Sequence, residues 1–129
     1  MAELTDKART LIDDPNFAYL ATVSKDGGPQ VTPVWIDRDG DTIRINTAKG
    51  RAKDRNMRRD PRVAVSIAAT DDPYERVEIR GHVVGTVDEP DARAHIDGLH
   101  RKYHDTDDAY PKRAGEERVV FLIEPDRVH

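Results

Sequence analysis

Seven basic side chains crowd the interval from Lys49 to Arg62: Lys49, Arg51, Lys53, Arg55, Arg58, Arg59 and Arg62, opposed within it only by Asp54 and Asp60. The interval carries +5 in a chain of net charge −4 at pH 7, so the remaining residues sum to −9. A cationic island in an acidic protein suits an anionic partner. Its setting sharpens the chemistry. A strand from Thr42 to Thr47 breaks at Gly50 and continues as a short helix, and a helix start presents unpaired backbone N–H groups and the positive end of the dipole. Gly50 allows the backbone to turn and approach a ligand closely. Arg51 and Lys53 fall in the first turn, where a planar fork and a point charge can both reach a phosphate. The competing reading is a solvated basic face, since Arg51, Arg55, Arg58 and Arg59 recur at helical spacing on one side. A nucleic-acid surface is the third reading, and pI ≈ 5.7 weighs against it.

Other chemistry is sparse. The chain has no cysteine, hence no thiolate nucleophile, disulfide framework or cysteine-based zinc site. No nucleophile elbow, Walker loop or dinucleotide fingerprint is present, and Gly27-Gly28 sits in hairpin chemistry rather than before a helix. His100 and His104 are four apart without an intervening Glu, which reads as exposed helix histidines rather than a metal site. His82 reads as a sheet residue. The single Trp, Trp35, follows Pro33 and Val34; it is either core or the wall against a planar ring. Tyr74, after Pro73, is either loop packing or part of a site. No catalytic residue and no metal ligand is assigned.

The elements that position these residues follow from pattern. Thr5 caps a helix reaching about Asp14, with Ala8, Leu11 and Ile12 on its apolar face. Strands are expected at Phe17–Ser24, Gln30–Asp37, Thr42–Thr47, Arg62–Thr70, Arg76–Val87 and Arg118–Pro125, divided by Gly-, Asp- and Pro-rich turns. Pro33 inside the second marks an edge or bulge, and Gly81 and Gly85 suggest bends in the fifth. The first three strands read as a meander delivered onto the basic helix. Asp71 to Tyr74 reads as a loop. Asp88 reads as the cap of a second long helix, Pro90 to about His104, with Ala92, Ile96, Leu99 and Tyr103 in stripe. A polar, mobile loop fills Asp105 to Glu117. The expectation is one domain over residues 1–129, mainly β with helical inserts: a six-stranded antiparallel barrel. There is no apolar run long enough to cross a membrane and no signal-peptide pattern, so a cytoplasmic protein is expected. Only 36% of residues are hydrophobic and 36% are charged, which suggests apolar surface shared with a second subunit.

Phe17-Ala18-Tyr19-Leu20-Ala21-Thr22, then Pro33-Val34-Trp35, then Ile45-Asn46-Thr47 with Gly50-Arg51-Ala52-Lys53, then Asn56 to Val63, resemble the pyridoxamine-5′-phosphate-oxidase-like split β-barrel flavoproteins. More narrowly they resemble the F420-dependent branch, the class B flavin/deazaflavin oxidoreductases. Asp72-Pro73-Tyr74, Glu78-Ile79-Arg80-Gly81 and the ending Glu124 to Val128 are also similar. The likeness spans about Phe17 to Val128, and order and spacing together carry it. It implies a homodimer with cofactor in a groove between two barrels. It places Thr47, Arg51 and Lys53 at the cofactor phosphate, with Lys49 and Gly50 among the cofactor-binding residues. Pro33, Val34 and Trp35 lie along the isoalloxazine-like ring, Ile45 and Asn46 on its other wall, and Tyr74 on a loop reaching toward the partner's site. The chain ends just after the last strand, without the longer C-terminal segment of pyridoxamine phosphate oxidases, and vitamin B6 oxidation is not expected.

The resemblance thus implies an F420-dependent oxidoreductase passing hydride between the deazaflavin and an unsaturated or quinone-like small molecule, with no nucleic-acid or membrane partner. The cofactor would carry the chemistry, which suits the lack of a visible acid/base pair. An FMN-binding reductase or oxidase of the same fold is the alternative, and a non-catalytic F420 carrier or sensor the next.

Overall fold

Thr5 opens the first helix, α1 (Asp6–Asp13), by accepting the Ala8 N–H on its hydroxyl oxygen at 3.1 Å. The stripe Ala8, Leu11 and Ile12 is buried as its spacing predicts. The computed structural model describes residues 2–129. The strands are β1 (Ala18–Val23), β2 (Pro29–Val34), β3 (Ile36–Asp39), β4 (Thr42–Ala48), β5 (Arg62–Ala69), β6 (Asp72–Val87) and β7 (Arg118–Val128). Helix α2 (Ala52–Arg59) follows β4, and α3 (Asp91–His104) follows β6. No helix among the described residues is long and apolar enough to cross a membrane.

All pairings are antiparallel, in the order β2-β1-β5-β6-β7-β4-β3. Among the described residues there are seven strands rather than the six expected, because the second splits at Trp35. Pro33 cannot donate to a ladder, and the chain there leaves β1 and crosses to β4. Val34 pairs with Ala18 on one edge, while Ile36 pairs with Ile45 on the other. The expected three-strand meander is therefore two hairpins on opposite edges. Those edges are joined through one residue, so the sheet curls into a half-barrel. The Tyr103 hydroxyl bridges the break, accepting the Ile36 N–H at 3.1 Å and donating to the Asn16 carbonyl at 2.7 Å. Burial pushes this phenol up to about 12.

Val63, Val65 and Ile67 of β5, Ile43 and Ile45 of β4, and Phe121 and Ile123 of β7 all face the core, which α1 closes at one end. Gly81 marks a register shift between β6 and β7. A Cβ there would stand 2.6 Å from the Glu124 carbonyl oxygen, a close approach that only glycine allows.

Three local expectations change. Asp72 already pairs with Ala69, so Tyr74 lies within β6 rather than in a loop, 85% exposed. Asp88 does not cap α3 with its side chain. Its carbonyl accepts the Ala92 N–H, while its carboxylate takes Lys49 at 3.1 Å. The connection from α3 to β7 is tied down rather than free: the Tyr110 N–H donates to Asp97 and the Lys49 N–H to the Glu117 carbonyl.

Candidate functional site

The end of β4, the start of α2, the Trp35 break, α3 and the first residue of β7 meet around a cavity of about 190 Å³. Its lining includes Pro33, Val34, Trp35, Asn46, Thr47, Arg51 and Lys53, all expected from the sequence, together with Phe17, Ile96, Tyr110 and Arg118.

The cationic end is built by a turn and a register. Gly50 sits at φ +90°, in the left-handed region, and turns the chain from β4 into α2. Asp54 secures that turn from inside the helix: its buried carboxylate accepts the Gly50 N–H at 2.8 Å and Arg58 Nε at 2.7 Å. Arg51 is the N-cap of α2 without a side-chain cap bond, and Lys53 lies in the first turn. Arg118 arrives from the far end of the sequence because Ala48 pairs with it across β4 and β7. Arg118 is only 3% exposed, donating Nε to Asn46 Oδ1 at 2.9 Å and Nη1 to Glu116 at 3.2 Å.

Arg51 shares Glu116, at 3.6 Å, whereas Lys53 forms no ion pair among the described residues. Burial, with Arg51 and Arg118 beside it, holds the Lys53 ammonium below the ordinary lysine range. Burial likewise lowers Arg118, against the pull of Glu116. At the end of β4, lining the same cavity as these cations, is Thr47, 2% exposed, whose hydroxyl oxygen is buried without a hydrogen-bond partner among the described residues. A hydroxyl left so costs about 1–3 kcal/mol. One acceptor-rich anion would relieve the hydroxyl and the crowded cations together.

The other end is aromatic. Trp35 is half-buried and stacks on Tyr103, centroids 5.4 Å apart and planes 10° apart. Tyr110 meets it edge-on at 5.9 Å, beneath the guanidinium groups of Arg93 and Arg118. His100 and His104 pack here as well. His104 is exposed as expected, but His100 is half-buried against Trp35 and Tyr110. No group of three or more metal-ligating side chains occurs among the described residues. His82 stands in β6 with Nδ1 3.0 Å from Asp126.

Four expected site residues fall elsewhere. Ile45 shares the parity of Ile43 and points into the core, fully buried, opposite to Asn46. Lys49 is exposed and paired to Asp88 and Glu117, and Gly50 contributes the turn rather than cavity lining. Tyr74 is not among the lining residues. Arg55, Arg58 and Arg59 are exposed and bonded within the β4–α2 segment, so the solvated-face reading describes them. Arg118 and Tyr110 escaped the sequence reading, although each is conspicuous locally. One is a charge opening an apolar strand, the other an isolated aromatic in a polar loop.

An antiparallel half-barrel with a cationic cleft against an aromatic wall is a split-barrel architecture. The chain belongs to the pyridoxamine 5′-phosphate oxidase family, which it matches over residues 4–129. It is similar to a solved structure described as an F420 reductase, at 32% identity and TM-score 0.86, over 98% of each chain. A conserved hypothetical protein from Mycobacterium tuberculosis matches at 24% identity and TM-score 0.75, over 99% of this chain and 84% of that one. General stress protein 26 from Bacillus anthracis matches at 18% identity and TM-score 0.70, over 96% and 90%. These last two likenesses concern the fold alone.

Proposed function

We propose that the chain is an oxidoreductase holding a phosphorylated deazaflavin, coenzyme F420, in the cleft and exchanging hydride with an unsaturated or quinone-like small molecule. The observation that carries this reading is the buried, unpartnered Thr47 hydroxyl beside Lys53, Arg51 and Arg118. That donor set suits a phosphate group, with the N-terminus of α2 adding backbone N–H groups. The ring system of the bound coenzyme supplies the hydride chemistry. The chain's own residues would bind and orient it: Thr47, Lys53, Arg51 and Arg118 would hold the phosphate, Trp35 and Pro33 would lie on the ring side, and Tyr110 would line the cleft from the loop side.

Similarity to an F420 reductase favours the deazaflavin, and the surplus of cations suits a polyanionic tail. FMN is the second reading, favoured by the family itself. The cavity of one chain, 190 Å³, falls short of the roughly 300–1,000 Å³ of small-molecule sites. A second copy completing the groove would make up the shortfall, and a homodimer belongs to the proposal.

Titration of the purified protein with F420, FMN and riboflavin tests it, read through Trp35, the only tryptophan. The expected result is quenching by F420 and FMN with riboflavin, which lacks the phosphate, weakest, followed by quinone-dependent oxidation of reduced F420. Unchanged Trp35 emission at saturating F420 and FMN would overturn the cofactor reading. Binding with no oxidation by any quinone supports a carrier.

A further inference from the structure

Behind the cationic cleft runs one hydrogen-bonded series drawn from three strands and a helix. Arg44 donates to both oxygens of Asp37, at 2.9 and 2.7 Å. His95 Nε2 lies 2.8 Å from Asp37 Oδ1, and its other nitrogen, Nδ1, lies 3.0 Å from Asn46 Nδ2. Asn46 Oδ1 then accepts Arg118 Nε at 2.9 Å. The His95 side chain is only 9% exposed.

The direction of every bond is fixed by its ends. Asn46 Nδ2 also lies 2.9 Å from the Ala92 carbonyl, which can only accept, and Arg118 Nε can only donate. Both demand the same orientation of the Asn46 amide. His95 Nδ1 therefore accepts, and the ring proton sits on Nε2, facing Asp37. Burial works to raise that carboxyl, but the His95 and Arg44 bonds outweigh it and hold it below the ordinary range, as a charged acceptor.

We propose that His95 is a positioning residue for the cofactor cleft: its neutral ring locks the Asn46 amide, and the locked amide aims Arg118 at the bound anion. The proposal rests on the cofactor reading above. A second proton, on Nδ1, would set donor against donor at Asn46. Turning the amide over would only move the conflict to Arg118 and the Ala92 carbonyl. Protonation of His95 thus loosens Arg118. The charged groups around the ring are Asp37 from β3, Arg44 from β4, Arg118 from β7 with Glu116 just before it, and Lys102 from α3 acting on Asp37.

Two substitutions separate this role from packing. His95→Asn can place a carbonyl where Nδ1 accepts and cannot gain a proton. His95→Leu fills similar space with no acceptor. FMN and F420 binding, followed by Trp35 emission at pH 7.5 and 5.5, should be within about threefold of the parent for His95→Asn at pH 7.5 and weakened roughly tenfold or more for His95→Leu. Acidification should weaken the parent protein more than His95→Asn. Nitrogen-15 spectra of the ligand-free parent should show His95 Nδ1 unprotonated and Arg118 Nε–H protected from exchange, independently of any ligand. Equal losses in the two variants, identical pH profiles for parent and His95→Asn, or a protonated Nδ1 would each overturn the proposal. If the parent binds neither ligand, the cofactor reading falls and takes the aiming of Arg118 with it. The spectra would then report separately whether the amide lock exists.

Discussion

At the scale of single residues, the basic island divides into cations that are spoken for and cations that are not. Lys49 is held by Asp88 and Glu117, Arg58 by Asp54, and Arg62 by Asp60. Lys53 alone of the cavity cations has no ion pair among the described residues. A charge-assisted bond to a phosphate contributes on the order of 1.5–3 kcal/mol, and about 1.4 kcal/mol is tenfold in affinity. Lys53→Ala and Arg118→Ala are therefore expected to weaken F420 or FMN binding by about ten- to a hundredfold. Arg59→Ala, exposed on the far turn of the same helix, should change it by much less. Similar losses from all three in fluorescence titration would return the whole island to a solvated face. Lys53 adds a signature in pH. Burial and the neighbouring cations lower it in the free protein, and a bound anion would raise it again. The Lys53 contribution to affinity is then fully present below its free-protein value and is lost as pH rises from there through the higher value it takes with the anion bound. Lys53→Arg, which stays charged, should flatten this alkaline decline.

At the scale of elements, the half-barrel depends on places where the ladder is deliberately irregular. Gly81 is the clearest, because an added Cβ would meet the Glu124 carbonyl oxygen at 2.6 Å and Ile123 Cγ2 at 2.9 Å. Backbone cannot yield as a flexible side chain does, so Gly81→Ala should cost roughly 1–3 kcal/mol in chemical denaturation. Gly85→Ala meets only Leu122 Cδ1, at 3.9 Å, and should be close to neutral. An equal effect of the two would remove close packing as the cause. The bends at Gly81 and Gly85 were legible in the sequence, as were α1, α3 and the inward face of β5, because each rests on local periodicity or on a residue with one physical use. Pro33 announced an irregularity but not that the strand would break at Trp35, since the break depends on which edge each half joins. The place of Arg118 in the cleft was not legible for a related reason: it gets there through the Ala48 pairing, whose partners are far apart in sequence. Ile45 went astray in the opposite direction, because family likeness placed it on the ring wall while strand alternation with Ile43 turned it inward.

At the scale of the whole molecule, one sheet face exposes apolar side chains. Tyr19 and Val31 stand 52% and 59% exposed, with Ala21 and Ala64 beside them on the outward side of β1, β2 and β5. Cross-strand pairing sets Tyr19 against Pro33, and Pro33 lines the cavity. The apolar face therefore runs into the cleft, which in one chain is too small for a flavin-sized ligand. A second copy laid on this face would bury Tyr19 and Val31 and wall the open side of the cleft at once. A stable pair needs upward of about 1,000 Å² of buried surface. The expectation is that the 14.6 kDa chain sediments as a dimer at micromolar concentration. Val31→Arg, which places a charge on the outward face without touching the core, should shift it to monomer. F420 and FMN affinity should fall together with dimer content, and raising the concentration of the variant should restore part of both. A monomeric parent protein that binds either ligand undiminished would show that one chain suffices, and the exposed face would then need another explanation.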